Sequence, residues 1–444
     1  MRGGETVIGQ PALVRGEEAI AREIVRLSAR APRKDDQPMV SPEGITLTEE
    51  QAAAVRLASA APVSVITGGP GTGKTTVLRT LVGLFLGTGD DPALCAPTGR
   101  AAKRLAEATG SSAGTVHRLL GLRGGRFQHG RHDAIGSRVV IVDEASMLDI
   151  RLARALVEAL PAGGQIVFVG DADQLPSVGP GNVLHDLIAS GKVKVARLNT
   201  LFRQKDTSQI VLNAHRIREG QLPEASPSGA RSGDFHLVNI ADPERARDRL
   251  VEICCDRIPQ AFGLDPVDDV QVLSPMHRGA VGTVALNRAL QDRLNPPRHG
   301  TMISVGDREF RVGDKVMQIR NDYERDVFNG DLGRIVDLDV DARRVVVAIN
   351  GVRLDYGREQ LGQLTLAYCI SIHKSQGSEY PAVVMPLLTQ HYVLLQRNLL
   401  YTAVTRAKDL VVIVGTKEAM KLAVRREGGT GRVTRLGLLL RDAL

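Results

Sequence analysis

The chain has 444 residues, 43% hydrophobic and 24% charged, which supplies core for two or three domains and excludes a chain dominated by disorder. A net charge of +7, from 57 basic against 50 acidic residues, suits a polyanionic partner without requiring one, since most of those charges form an ordinary solvated surface. No apolar run reaches the roughly 18 residues of a membrane span, and the N-terminus lacks an apolar core of signal-peptide length; a cytoplasmic protein without a membrane partner is expected. Cys95, Cys254, Cys255 and Cys369 form no C-x-x-C pair, so reduced, mostly buried thiols are expected, with neither zinc nor disulfide. Trp is absent and aromatics are 3%, which limits mechanisms that need many base-stacking platforms.

In chain order, residues 16 to 29 place Ile20, Ile24 and Leu27 at helical spacing, and RAPRKDDQPMVSPEG then mixes Pro, Gly and charge as a linker does. From about residue 45, the apolar runs SVIT, ALCAP, RVVIVDE, QIVFVGD, VQVLSP, AVVMP and DLVVIVG alternate with helical segments. Such alternation predicts two α/β domains, each a parallel sheet covered by helices on both faces. Residues 300 to 362 break the pattern; VVVAI-Asn350-Gly351-VRL predicts a hairpin with a type I′ turn, and Asn329-Gly330-Asp331 a second tight turn, in a small β-rich insertion. The stretch Gly121 to Asp133, rich in Gly and Arg, lies between a helix and the strand RVVIVDE.

Three strand ends carry chemistry. After Val63 to Ile66 comes Gly68-Gly69-Pro70-Gly71-Thr72-Gly73-Lys74-Thr75, followed by Thr76, which matches the G-x-x-x-x-G-K-[ST] phosphate loop. Glycines let successive amides converge on phosphate oxygens, Lys74 reaches the β- and γ-phosphates, and Thr75 ligates Mg²⁺. Val139 to Val142 delivers Asp143 and Glu144, the first suited to hold Mg²⁺ and the second to polarise the attacking water. Gly170-Asp171-Ala172-Asp173-Gln174 ends the next strand, where Gln174 can sense the γ-phosphate and orient water.

Read in order, GGPGTGKTT, APTGRAAKRL, TVHRLL, VDEASM, GDADQLPSVGPG, LFRQ, HKSQGSEY and YTAVTRAKD resemble the motif series of superfamily-one DNA helicases, and within it the RecD-like branch. The resemblance covers about residues 46 to 440. It implies two RecA-like domains with a small β-barrel inserted in the second and a short β-hairpin pin in the first. The implied boundaries are 1–45 for the N-terminal helix and linker, 46–197 for the first domain with its pin at 121–133, 198–299 and 363–444 for the second domain, and 300–362 for the barrel.

The resemblance also implies residue roles. Gln51 reads adenine; Gln376, Gly377 and Glu379 lie at the nucleotide; Arg203 and Arg406 reach the γ-phosphate from the second domain, a task suited to the permanently charged guanidinium fork. Pro97, Thr98, Arg100, Thr115 and His117 on the first domain, and His373, Lys374 and Ser375 on the second, hold backbone phosphates of single-stranded DNA without reading bases. Helix capping by Thr98 and Thr115 is the competing role. Arg320, Asn321, Tyr323 and Arg325 form a polar loop on the barrel that can touch the strand, and Phe127 and His129 are ring side chains within the pin. The implied activity is ATP- and Mg²⁺-dependent translocation on single-stranded DNA, 5′ to 3′, with unwinding at junctions, by a monomer with unspecified protein partners. The alternatives are a helicase module of a conjugative relaxase, or a nucleotide-switched strand-binding or remodelling module that does not unwind. Only about 45 residues precede the motor, so a short form without the long N-terminal region of larger relatives is expected.

Overall fold

The computed structural model describes residues 9–31, 46–200, 208–226, 233–297, 302–428 and 432–443. They divide into two compact units, Met1–Gln204 with Gly429–Leu444, and Lys205–Gly428. In the first unit, β1 (Val63–Gly68), β2 (Ala93–Ala96), β3 (Ala113–Thr115), β4 (Val139–Val142), β5 (Gln165–Gly170) and β6 (Lys194–Leu198) form a sheet in the order β3-β2-β4-β5-β1-β6. All pairings are parallel. The central strands β1, β2, β4 and β5 are mostly apolar because both faces are covered. Val140, Val142, Ile166 and Phe168 face one core cluster, and Val139, Ile141, Val167 and Val169 face another.

Helices α1 (Pro11–Ser28), α2 (Glu49–Ala60), α3 (Lys74–Gly87), α4 (Gly99–Thr109), α5 (Val116–Leu119), α6 (Ile150–Glu158) and α7 (Val183–Ser190) flank this sheet. Helix α1 starts earlier than its apolar pattern predicts, with Pro11 at the first position, where a missing N–H does no harm. Its Ile20, Ile24 and Leu27 enter the first core cluster together with Leu436 and Leu440 of the C-terminal helix Leu436–Ala443. Residues 429–444, placed with the second domain by the sequence alone, therefore belong to the first unit. The strand pattern ends at residue 415, and nothing local marks which sheet a following amphipathic helix will cover.

The expected pin differs as well. Instead of a paired hairpin, residues 121–133 make two tight turns, each closed by one antiparallel bridge, Arg123 with Arg126 and Gly130 with Asp133. A polar, glycine-rich run lacks the alternation that would hold a longer ladder. Phe127 is not presented as a wedge: its ring lies 6.0 Å from that of His117 and packs against the core.

In the second unit the connecting helices are α8 (Gln209–Arg218), α9 (Pro243–Glu252), α10 (Ile258–Phe262), α11 (Thr283–Leu294), α12 (Arg397–Val404) and α13 (Lys417–Arg425). Strands β7 (Phe235–Asn239), β8 (Val270–Ser274), β16 (Cys369–Ser371), β17 (Tyr380–Leu387) and β18 (Ala407–Gly415) form a parallel sheet, ordered β16-β8-β17-β18-β7. Between β8 and β16 lies the β-rich insertion. A hairpin of β9 (Met302–Val305) and β10 (Arg308–Arg311) accompanies an antiparallel sheet of β11 (Lys315–Gln318), β12 (Leu332–Asp339), β13 (Arg344–Ile349), β14 (Val352–Tyr356) and β15 (Leu364–Leu366). Its last strand lies just past the expected end at 362. The predicted type I′ turn is present: Ile349 pairs with Val352, and Asn350 and Gly351 have φ of 52° and 81°. In the polar loop, Arg325 lies 4.5 Å over the Tyr356 ring and so braces the barrel, the Asn321 amide donates to Tyr323 at 3.1 Å within the loop, and Arg320, Asn321 and Tyr323 are exposed.

One buried histidine yields a pH prediction. His391, 1% exposed, accepts the Leu388 amide at Nδ1, and its Nε2 has no partner among the described residues. Burial pushes its pKa down to about 4. The folded state thus refuses a proton that the unfolded chain, near 6.5, accepts; stability is full above that value and falls as pH drops toward 4. The protein is expected to be about 2 kcal/mol less stable at pH 5 than at pH 7 through this group. Denaturant unfolding at both pH values checks this, with His391→Phe expected to flatten that part of the slope.

Candidate nucleotide and nucleic-acid site

The candidate residues of the first unit line one edge of its sheet, the carboxyl ends of parallel strands, where ligands bind in open α/β folds. The phosphate loop follows β1, Asp171 to Gln174 follow β5, and Asp143 and Glu144 follow β4. Pro97, Thr98 and Arg100 follow β2, and Thr115 with His117 ends β3; Ala96 and Thr115 are register partners, so these two groups lie side by side.

In the phosphate loop, Gly71 and Gly73 have φ of 74° and 81°, a region that residues with a Cβ enter only at a cost of about 1–2 kcal/mol. That curl leads into α3, which starts at Lys74. The Lys74 ammonium donates to the carbonyls of Gly68 and Gly69 at 2.6 and 2.8 Å, and Thr72 donates to Gly69 at 2.9 Å. Gln51 is 4% exposed and closes a capping box with Thr48 at the start of α2. Its Nε2 also points to the Thr72 carbonyl at 3.5 Å, so the same amide caps a helix and abuts the phosphate loop.

The acidic pair shows two signs of constraint. Glu144 has φ of 50°, a left-handed conformation that a side-chain-bearing residue adopts at a strand end only under tertiary constraint. Asp143 accepts the Glu144 amide at 2.8 Å. Burial, and then the Glu144 charge, raise the Asp143 carboxyl above the usual carboxylate range, while Lys74 and Arg104 pull the other way. On the neighbouring strand end, Gln174 donates to the Asp171 carboxylate at 3.2 Å, while its Oε1 is buried without a partner among the described residues.

Sequence reasoning passed over Asp171, although it quoted the motif containing it. Asp171 is 1% exposed, accepts the Asp173 amide at 3.0 Å, and fixes Gln174. Thr67 ties the β1 end to the same turn by accepting the Ala172 amide at 3.2 Å. Its signal is faint, since a Thr inside an apolar strand reads as ordinary β-branched packing.

The strand-facing candidates are mixed. Thr98 and Thr115 cap α4 and α5 by accepting the Ala101 and Arg118 amides at 3.3 and 3.1 Å. Each hydroxyl proton stays available as a donor. Burial pushes the His117 pKa down against the pull of Asp149. In the second unit, His373 and Lys374 sit in a 3-10 turn, Ile372–Ser375, after β16. Ser375 is a correction: it is fully buried and donates to the Ile372 carbonyl at 2.7 Å, so the turn itself uses its hydroxyl.

Gln376 is 5% exposed, Gly377 has φ of 70°, and Glu379 lies 3.9 Å from Lys408. Arg406 is 4% exposed, donates to the Ser378 carbonyl at 3.1 Å, and keeps Nε without a partner among the described residues. The turn and Arg406 are joined by the register of Tyr380 with Ala407. Arg203 lies outside the described residues.

Comparison with known proteins fits this arrangement. A family model described as an AAA domain matches residues 46–239, the ATP-dependent RecD-like DNA helicase SH3 domain matches 286–349, and the UvrD-like helicase C-terminal domain matches 366–414. The RecBCD enzyme subunit RecD of Mycobacterium tuberculosis is 32% identical over 460 residues, covering 93% of this chain and 76% of that protein. The chain belongs to the RecD-like helicase family.

Within that family, the ATP-dependent RecD2 DNA helicase of Deinococcus radiodurans is 35% identical over 96% of this chain, which spans 57% of the RecD2 length. The RecD-like chain also shares its fold with the Pif1 helicase from Bacteroides, solved in complex with ADP-AlF3 and ssDNA: TM-score 0.51 at 20% identity, covering 88% of this chain and 94% of that one. The expected two RecA-like parallel sheets with flanking helices stand, and the small β-barrel expected in the second domain falls where the SH3 domain model matches. Among the described residues, no helix is long and apolar enough to cross a membrane.

Proposed function

We propose that this RecD-like chain is an ATP-driven motor that moves 5′ to 3′ along single-stranded DNA and opens duplex at a junction. The observation that carries the reading is the single sheet edge on which a phosphate loop, a strained carboxylate pair and a held glutamine stand beside two strand ends rich in phosphate donors. Lys74 moves from the loop carbonyls to the triphosphate, and the loop amides with the α3 N-terminus hold its charge. Gln51 reads adenine at the loop's flank, where its Nε2 already reaches Thr72.

The donor set fits magnesium, since the Thr75 hydroxyl and the Asp143 carboxylate are hard oxygen ligands. Bound there, Mg²⁺ would neutralise phosphate charge and draw the raised Asp143 carboxyl back to its ionised form. Glu144 takes a proton from the attacking water, and the Gln174 Oε1, fixed through Asp171, accepts the second hydrogen of that water. Within the second unit, Arg406 with Gln376, Gly377 and Glu379 forms the cluster that the family resemblance assigns to nucleotide sensing. His117 and the Thr98 and Thr115 hydroxyls hold the strand's backbone phosphates without reading sequence. A DNA substrate places the work in the cytoplasm.

Forked duplexes carrying only a 5′ or only a 3′ tail test the reading. Unwinding of the 5′-tailed substrate with ATP is expected. Unwinding of the 3′-tailed substrate would reverse the polarity, and DNA-stimulated ATPase with no unwinding on either would replace the helicase by a strand-binding switch.

A further inference from the structure

The Gln174 turn runs directly into a glycine- and proline-rich loop, Ser177-Val178-Gly179-Pro180-Gly181, before α7 begins. That composition gives the loop little conformational preference of its own. Beside the Ser177 hydroxyl's bond to the Gly179 carbonyl at 3.1 Å, a residue from the far end of the chain holds it. The Arg432 guanidinium donates to the Ser177 carbonyl at 2.6 Å, to the Gly179 carbonyl at 2.9 Å, to the Gly181 carbonyl at 2.6 Å and to the Ser177 hydroxyl at 3.4 Å. A planar fork of donors bridging three carbonyls over five residues fixes a loop as a point charge cannot.

Resting on the nucleotide site proposed above, we infer that Arg432 is a positioning residue for Gln174, so that the C-terminal segment sets the geometry of the γ-phosphate sensor. Gln174 is held on one side by Asp171, and the only covalent path on its other side enters the Arg432-clamped loop three residues on, at Ser177. The loop also abuts the start of α6: the Ile150 amide donates to the Pro180 carbonyl at 3.0 Å. A looser loop would weaken the hold on the Gln174 side away from Asp171, letting its Oε1 shift by the fraction of an ångström that matters to a positioned water.

The C-terminal segment has separate anchors, so removing the guanidinium does not release it. The Thr434 hydroxyl donates to Asp186 at 2.9 Å, the Arg435 amide donates to Glu17 at 3.1 Å, and Leu436 and Leu440 are fully buried. The clamp and the docking of the segment are therefore experimentally separable.

The test compares Arg432→Ala, Arg432→Lys, Thr434→Ala, Gln174→Ala and the Arg432→Ala/Gln174→Ala double variant in the full chain, measuring ATP turnover on single-stranded DNA. Arg432→Ala is expected to lower kcat roughly 10-fold, with KM for ATP within about twofold of the parent. Binding of ADP with aluminium fluoride should weaken in parallel while binding of ADP alone does not. Arg432→Lys, which keeps the charge and loses the fork, should recover only part of the rate, and Thr434→Ala should turn over as the parent does. The double variant should be no slower than Gln174→Ala alone. Multiplying defects in the double variant, or an unchanged kcat in Arg432→Ala, overturns the inference and leaves the motor reading intact. A parent chain that hydrolyses no ATP on DNA instead overturns the reading beneath it.

Discussion

Lys74→Ala is expected to abolish DNA-stimulated ATP hydrolysis, lowering turnover by at least about 10²- to 10³-fold, the usual loss when one preorganised charge on a transferring phosphoryl group is removed. The structure gives the reason. The Lys74 ammonium is held within hydrogen-bonding reach of the loop carbonyls, at 2.6 and 2.8 Å, and no other cation occupies the loop sequence. Folding should survive, because the loop's curl comes from Gly71 and Gly73 and the lysine is not part of the core. Turnover on single-stranded DNA, measured beside a thermal unfolding curve, checks both halves. Parent-level hydrolysis in this variant would remove the loop from the mechanism.

Glu144→Gln should separate binding from chemistry. Glutamine keeps the shape and can hold the same φ of 50°, but it cannot accept the water's proton, so kcat should fall by roughly 10²- to 10⁴-fold. Nucleotide affinity should hold or rise, since removing the Glu144 charge removes one of the two causes that raise Asp143 and leaves that carboxylate readier for a cation. Single-turnover hydrolysis together with equilibrium binding of a fluorescent ATP analogue measures the two effects. Equal losses in affinity and in kcat would assign Glu144 to binding alone.

The same residues show how far the chain could be read before its fold was known. Seven strands were legible as apolar runs, and each is a strand in one of the two parallel sheets. The four strands that were missed, β3, β6, β7 and β16, are the four sheet edges. An edge strand is short or polar because only part of it is covered: β3 and β16 have three residues each, and β6 reads KVARL with its first residue exposed. The phosphate loop, Asp143, Glu144, Gln174 and the Asn350-Gly351 turn were legible because each is local: a backbone angle, a strand end or a spacing within a few residues dictates it.

What needed the tertiary structure is whatever joins distant parts of the chain. Ser375 reads as a donor and is buried, since the sequence does not show which side of a 3-10 turn faces the core. Phe127 reads as a ring of the pin and packs against His117 and the core. Residues 429–444 read as the tail of the second domain and complete the first, bringing Arg432 to Gly179 across 253 positions. The sequence by itself determined the central strands, the nucleotide motif and the family, because these are set by short-range backbone geometry and by apolar runs buried on both faces. Only the tertiary structure decided the sheet edges, the inward or outward aim of single polar side chains, and the return of the C-terminus. Those depend on which surfaces meet, and sequence spacing does not encode that.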